Sequence, residues 1–389
     1  MRSRLLPRRA FLVASFLLAA TSARAAPDTV RVGLILETSG PFAEFGRQME
    51  AGMQVFQNQF GLTAGGKRVE LVVKDAGGPN PELAKRLATE LVTRDKVQFL
   101  AGFGFTPNAL AVAPIATQAK VPMVVMNAAA TGLTERSPFI VRTSFNYADM
   151  VPPIAQWALK NGSKKAYVLV ADYAPGHDAE AAFVKAYKEG GGEIVGSVRT
   201  PIMTLDFSAY MQRVKDAKPD VLFAFVNGGN VSPTFFKEYR DKGLDQAGIR
   251  VIGTGDIVDE ADINVIGDRG LDAITVFPYS MHHKSDLNAR YVSDYRKLRG
   301  AQARPSVMSV SAYDGLALIY AALNATKGAT DGDALVNAMR SASWESPRGH
   351  VRMNPRTREI VQDEYIRRVT KVGGELQNQE FETYKAETH

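Results

Sequence analysis

From Thr29 onward the chain alternates short β-branched runs with amphipathic stretches of helix length, and this rhythm most narrowly limits what it can fold into. Residues 30–36, 69–73, 99–101 and 123–126 are nearly continuous apolar runs, while 45–60, 82–94 and 108–118 carry apolar residues at helical spacing. A strand without polar alternation must be covered on both faces, as in a parallel sheet whose crossovers are helices. The series then begins again, with strands expected at 165–171, 193–198, 221–226 and 250–252 and helices at 179–189, 207–217 and 234–242. Two successive α/β series predict two sheets, with a crossover around 146–151 after a last strand at 139–142. Beyond 272–279 the pattern turns helical, at 287–298, 308–325 and 333–341. Helices with no strands between them must cover a sheet already built, so the chain is expected to cross back to the first unit near Tyr279. Late strands at 351–353 and 359–369 flank a turn, Asn354-Pro355-Arg356-Thr357.

Charge narrows the partners. The 389 residues hold 47 Lys and Arg against 41 Asp and Glu, for a net charge of +6 and a pI of about 9.3. Arg2, Arg4, Arg8, Arg9 and Arg24 supply most of that excess, and without them residues 26–389 carry +1, so no nucleic-acid partner is expected. The same segment has a basic start, an apolar run at 10–20 and Ala23-Arg24-Ala25, the pattern of an export signal (residues 1–25) cleaved near Ala25. Pro7-Arg8-Arg9-Ala10-Phe11-Leu12 partly matches the twin-arginine form of such signals. With no cysteine in the chain there is neither a disulfide scaffold nor a site for a lipid anchor after the signal, and a mature protein free in a periplasm is expected. The most apolar later runs, such as 167–171 and 221–226, have only strand length, so no later membrane span is expected.

Catalytic motifs are missing. Five histidines and no cysteine offer little to a transition metal, and adjacent His282 and His283 diverge in any regular structure. There is no G-x-S-x-G elbow, phosphate-binding G-x-x-x-x-G-K-[ST] loop or H-E-x-x-H pair, and Gly102-Phe103-Gly104 and Gly253-Thr254-Gly255 are incomplete dinucleotide fingerprints. No enzyme activity, cofactor or metal is expected, and a secreted α/β hydrolase or dehydrogenase is the rival reading. The strand-to-helix junctions offer a binding surface instead, because helix N-termini at the carboxyl ends of parallel strands present free N–H groups. Thr106 before Pro107 is the sharpest of them, read as an N-cap whose hydroxyl and N–H could receive a ligand carboxylate or merely cap the helix.

Several pieces follow one another in a fixed order: Thr38-Ser39-Gly40-Pro41 followed by Phe45-Gly46, then residues 102–106 with Pro114-Ile115-Ala116, residues 127–134 leading into Phe139-Ile140-Val141-Arg142-Thr143, and Ser311-Ala312-Tyr313-Asp314. Together they resemble the type I periplasmic solute-binding proteins of the leucine/isoleucine/valine-binding family, the capture components of ABC importers. The resemblance spans essentially the whole chain after the leader. It implies two Rossmann-like α/β lobes joined by three crossovers and closing on a ligand, with residues 28–147 plus 279–355 as one lobe and 148–278 plus 356–389 as the other, the third crossing falling near Pro355. A membrane permease as partner and a monomeric state are implied as well.

By position, the resemblance assigns Thr106 to the ligand carboxylate, Asn127 and Ala128 to backbone contacts, and Phe45 and Phe105 to the apolar wall. Ala129 stands where a Thr often helps to hold an ammonium. Pro175-Gly176 replaces a Tyr-Gly pair, with Tyr173 as a substitute wall, while Asn230 and Asp256 fall near the second lobe's polar and acidic contacts. Two ligand classes stay open. Asp256 beside an ammonium favours a branched-chain type of amino acid or a close derivative, the leading expectation. The losses at Ala129 and Pro175 favour an aromatic or other carboxylate without an α-amine, walled by Phe45, Phe103, Phe105 and Tyr173.

Overall fold

The structure, a computed structural model, describes residues 28–386; the expected leader and its cleavage site lie outside the described residues. The first series is β1 (Thr29–Leu36), α1 (Ala43–Phe60), β2 (Thr63–Ala64), β3 (Lys67–Asp75), α2 (Pro81–Thr93), β4 (Phe99–Gly102), α3 (Thr106–Ala119), β5 (Met123–Val125) and β6 (Ile140–Arg142). These strands form one sheet in the order β2-β3-β1-β4-β5-β6, parallel except at the β2 edge. Every residue of β4, β5 and β6 is buried, as runs without polar alternation require. Asn80 starts α2 by accepting the Leu83 N–H at 3.1 Å, with Pro81 in the first turn where no N–H is needed.

The second series runs α4 (Tyr147–Met150), α5 (Pro152–Lys160), β7 (Lys165–Ala171), α6 (Ala174–Glu189), β8 (Glu193–Thr200), α7 (Ser208–Ala217), β9 (Val221–Phe225), α8 (Val231–Asp241), β10 (Arg250–Thr254), α9 (Ile263–Ile266) and β11 (Ile274–Phe277). After it come α10 (Asp286–Arg299), α11 (Val307–Ala325), α12 (Gly332–Arg340), β12 (Ser343–Ser346), β13 (Gly349–Met353), β14 (Ile360–Val361), β15 (Glu364–Val372) and β16 (Glu375–Tyr384). The second large sheet has the order β16-β15-β11-β10-β9-β7-β8, with β15 and β16 added antiparallel. Sequence reading missed β12 and β16, which are rich in polar residues and lack the apolar runs of the central strands. The single late strand expected over 359–369 is two: β14 closes the small sheet β12-β13-β14, and β15 joins the second large sheet. The chain passes between them at Gln362 and Asp363, where Gln362 donates to the Ser144 carbonyl at 3.0 Å.

As expected, the late helices return to the first sheet. Helix α11 lies along α1 so closely that a Cβ on Gly52 would stand 1.9 Å from the Ser309 carbonyl oxygen. The premise that the most apolar later runs have only strand length fails here. By length and composition α11 is apolar enough to cross a membrane, with a mean hydropathy of 1.2, yet 83% of that stretch is buried inside the molecule. It is a core helix, enclosed on all sides and therefore free of the polar face that an exposed helix needs.

The crossings between the sheets lie side by side. Arg348 and Asp314, both fully buried, pair at 2.7 Å, and the guanidinium also donates to the carbonyls of Thr143 and Ser144 in the first crossing. Phe145 of that crossing packs edge-on against Phe277 at the end of β11, with centroids 5.2 Å apart. Arg367 of β15 donates to the Tyr279 carbonyl in the second crossing.

Candidate functional site

A narrow cavity lies between the carboxyl ends of the two large sheets. Its first wall is made by the turn after β4. Gly102, at φ 103°, sits where a Cβ would be 2.6 Å from the Ile35 carbonyl oxygen, so no side chain fits. Phe103 follows in the left-handed region (φ 68°), its N–H bonded to the same carbonyl at 2.9 Å. This turn aims Gly104, Phe105 and Thr106 into the cavity. Asn127 steadies it by donating to the Gly104 carbonyl at 2.8 Å, and the Ala128 N–H bonds the Phe103 carbonyl at 2.9 Å.

Thr106 is the first residue of α3, and Phe105, in extended conformation, is its N-cap. The sequence expectation of a capping Thr106 is therefore off by one residue. Its hydroxyl does not cap α3 but accepts the Ala130 N–H at 3.3 Å. The N-terminus of a 14-residue helix, with its unpaired first-turn N–H groups, thus faces the cavity beside a hydroxyl, an arrangement that attracts a carboxylate.

Above this end the cavity is apolar, walled by Phe45, Phe105, Phe145 and Met308. Phe45 stacks on Phe105 at 5.6 Å, and Phe42 buttresses both rings at 5.3 and 4.7 Å. Phe103, expected as part of this wall, is instead fully buried and not among the lining residues, because its left-handed backbone turns the side chain into the core.

The opposite wall is polar. Tyr147 donates to Asp256 Oδ2 at 3.1 Å, and Tyr173 donates to Asn227 Oδ1 at 2.8 Å, leaving Asn227 Nδ2 without a partner. Both phenol rings pack on Phe225. Burial raises the Asp256 carboxyl above its ordinary range, against the hydrogen bonds from Thr254 and Tyr147 and the positive field of Arg367. Burial, reinforced by the Asp256 charge, pushes both phenols up, so they remain hydrogen-bond donors at any physiological pH. Among the described residues lining the cavity there is no Lys or Arg.

All the predicted site residues except Asn230 line this cavity: Phe45, Phe105, Thr106, Asn127, Ala128, Ala129, Tyr173 and Asp256. Asn230 is exposed at the N-cap of α8. The chain leaving β9 turns at Gly228 and Gly229, the latter at φ 74° with its N–H on Asp262 at 2.6 Å, so the amide presented to the cavity is Asn227. Sequence reasoning missed Phe145, Tyr147, Asn227 and Met308. Tyr147 had been placed in a crossover, and Met308 at the start of a covering helix. The one available signal was Asn227 itself, directly after a buried strand. Among the described residues, no group of three or more His, Cys, Asp or Glu could hold a metal ion.

A family model for periplasmic binding proteins matches residues 29–375. The chain belongs to the periplasmic binding protein family. Over 374 residues it is 43% identical to the Leu/Ile/Val-binding protein homolog 6 of Brucella melitensis, covering 96% of this chain and 95% of that relative. Its fold is matched by a solute-binding protein of an ABC transporter from Rhodopseudomonas palustris BisB5, in complex with 3,4-dihydroxybenzoic acid, at 47% identity and a TM-score of 0.89 over 92% of this chain and 98% of that one. A second such protein, from R. palustris HaA2 with p-hydroxybenzoic acid, matches at 43% identity and a TM-score of 0.90 with the same coverage. This periplasmic binding protein has the type I fold and is a substrate-binding component of an ABC transporter.

Proposed function

We propose that the protein captures a hydroxylated benzoate and presents it to the membrane permease of its importer. The observation that carries this reading is the order of chemistry along one cavity. A helix end and the Thr106 hydroxyl lie at one side, aromatic walls in the middle, and Tyr147, Asp256, Tyr173 and Asn227 at the other. A planar ring packs against the wall made by Phe45 and Phe105, its carboxylate meets the helix end, and its hydroxyl reaches the polar wall. Two R. palustris proteins of the same fold, at 47% and 43% identity, are in complex with benzoates of this type. An α-amino acid is the second reading, favoured by the name of the Brucella relative and by Asp256 as a counter-charge for an ammonium. Against it, burial raises the Asp256 carboxyl above its ordinary range, and one of its oxygens is already occupied by the Tyr147 hydroxyl.

The two lobes we assign are residues 28–147 with 279–361 and residues 148–278 with 364–386, each built on one large sheet, with the third crossing at Gln362 and Asp363 in place of the expected Pro355 because Ile360 and Val361 still pair with β13; the ligand bridges the lobes and favours the closed form. We further assign residues 1–25 as a leader cleaved near Ala25, a monomeric mature protein in the periplasm, and no catalytic step. The decisive experiment is a thermal-shift and calorimetric screen of 4-hydroxybenzoate, 3,4-dihydroxybenzoate, benzoate, leucine, isoleucine and valine. A ligand at 100 times its Kd adds about 2.7 kcal/mol of stability, a readable shift. The hydroxybenzoates are expected to stabilise the protein at 1:1 stoichiometry. Stabilisation by leucine and not by any benzoate would replace the aromatic reading with the amino-acid one.

A further inference from the structure

One buried acid beside the carboxylate end has no part in the contacts described so far. Glu37 follows β1 and is fully buried, and its side chain lies beneath the turn that forms the first wall. A Cβ on Gly104 would come within 2.1 Å of Glu37 Oε2 and 2.8 Å of its Cδ, so the carboxyl is pressed against the backbone of a residue that lines the cavity. Gly104 is held from its other side by Asn127 at 2.8 Å. Glu37 Oε1 accepts from Asn108 Nδ2 at 3.1 Å, and the same nitrogen donates to the Gly78 carbonyl at 2.9 Å. Glu37 Oε2 has no hydrogen-bond partner.

We propose that Glu37 is a positioning residue for the ligand's carboxylate, a neutral acid beneath the Gly104–Thr106 turn whose ionisation opposes binding, so that capture at alkaline pH takes up a proton. The inference deepens the reading of this cavity as a carboxylate site and rests on it. The groups facing the carboxyl are Asn108 from α3, itself bonded to the Gly78 carbonyl in the turn before α2, the Gly104 backbone from the β4–α3 turn, and the carboxylate of Asp75 at the end of β3. All are neutral or acidic. Asp75 is itself satisfied by the N–H groups of Thr38 and Gly77 at 2.8 and 2.9 Å. A buried carboxylate in such surroundings is poorly compensated. Burial raises Glu37 to about 8, the Asn108 hydrogen bond and the adjacent backbone N–H dipoles acting against it and the Asp75 charge acting with it.

The sign follows from linkage. Below about pH 8 the free protein already carries the proton, and the ligand's negative charge meets a neutral neighbour. Above that pH the free protein has lost it, and a carboxylate arriving on the same turn favours its return, so affinity falls as pH rises, by at most about tenfold per pH unit. Glutamine keeps the size of the side chain and an oxygen for Asn108, but cannot ionise.

Titration calorimetry of wild type and Glu37→Gln with 4-hydroxybenzoate tests this at pH 7 and pH 8.5, each in two buffers of different ionisation enthalpy. Benzoate, which has no phenol, serves as the control. Wild type is expected to take up a sizeable fraction of a proton at pH 8.5 and to bind severalfold more weakly there than at pH 7. The variant is expected to take up none and to keep a flat affinity. Equal proton uptake in both proteins overturns the proposal, as does zero uptake by wild type, a result that needs no folded variant. If no benzoate binds, the aromatic reading fails instead, and the same proton count taken with leucine decides the role of Glu37.

Discussion

Thr106 acts through its place in the chain as much as through its chemistry. Phe105 takes the N-cap, so the Thr106 hydroxyl is released from capping, and the turn from Gly102 through Phe103 points it into the cavity. Removing that hydroxyl deletes one contact to a charged ligand group, typically about 1.5 to 3 kcal/mol. Thr106→Ala is expected to weaken 4-hydroxybenzoate about tenfold or more at 1.4 kcal/mol per decade, and to lower the melting temperature of the free protein modestly because the Ala130 N–H loses its partner. Unaltered affinity in calorimetry would move the carboxylate elsewhere. This residue was legible in the sequence because a small polar residue before a proline, straight after a buried strand, marks a strand-to-helix junction. Tyr147 was not legible, since its value lies in a 3.1 Å bond to a carboxyl 109 residues away.

At the scale of elements, periodicity predicted most of the helices that pack on the sheets, though not α5 against the second one, and contacts then settled details that propensity would get wrong. Gly52, in the middle of α1, is such a case. Helix propensity alone favours alanine there by roughly 1 kcal/mol. Yet the backbone of α11 occupies the space a methyl group needs, 1.9 Å from the built Cβ. Gly52→Ala is therefore expected to destabilise by about 1 to 3 kcal/mol as α1 and α11 are forced apart, measured as a lowered denaturation midpoint. A rise in stability would mean that the helices separate freely. The same contact explains α11: enclosed between α1 and the rest of the core, it needs no polar face and so has the composition of a membrane span without being exposed like one.

Across the whole molecule, Arg304 ties the two halves together outside the cavity. Its carbonyl accepts from Gln48 of α1 at 3.0 Å, while its guanidinium grips Glu260 at 2.6 Å and the Leu376 carbonyl at 3.0 Å, on the side of the second sheet. Both charged side chains are almost wholly buried. Breaking such a pair leaves an unpaired buried charge, at a cost of about 3 to 5 kcal/mol. Arg304→Ala is expected to lose stability on that scale in chemical denaturation, and adding Glu260→Gln should recover part of the loss. Additive losses in the double variant would mean that the two groups are not coupled.

The two α/β series, the return of the late helices to the first sheet and the junctions that line the cavity could be read from the chain itself, because strand and helix periods and turn chemistry are written within a few consecutive residues. Which side chains meet is set by the folded chain. Asn227 replaced Asn230 through the turn at Gly228 and Gly229, Phe103 left the wall through its left-handed backbone, and the Tyr147–Asp256 and Glu37–Gly104 contacts arose between segments brought together by the crossings and the sheet. Their geometry depends on chain paths through space, which no local pattern encodes.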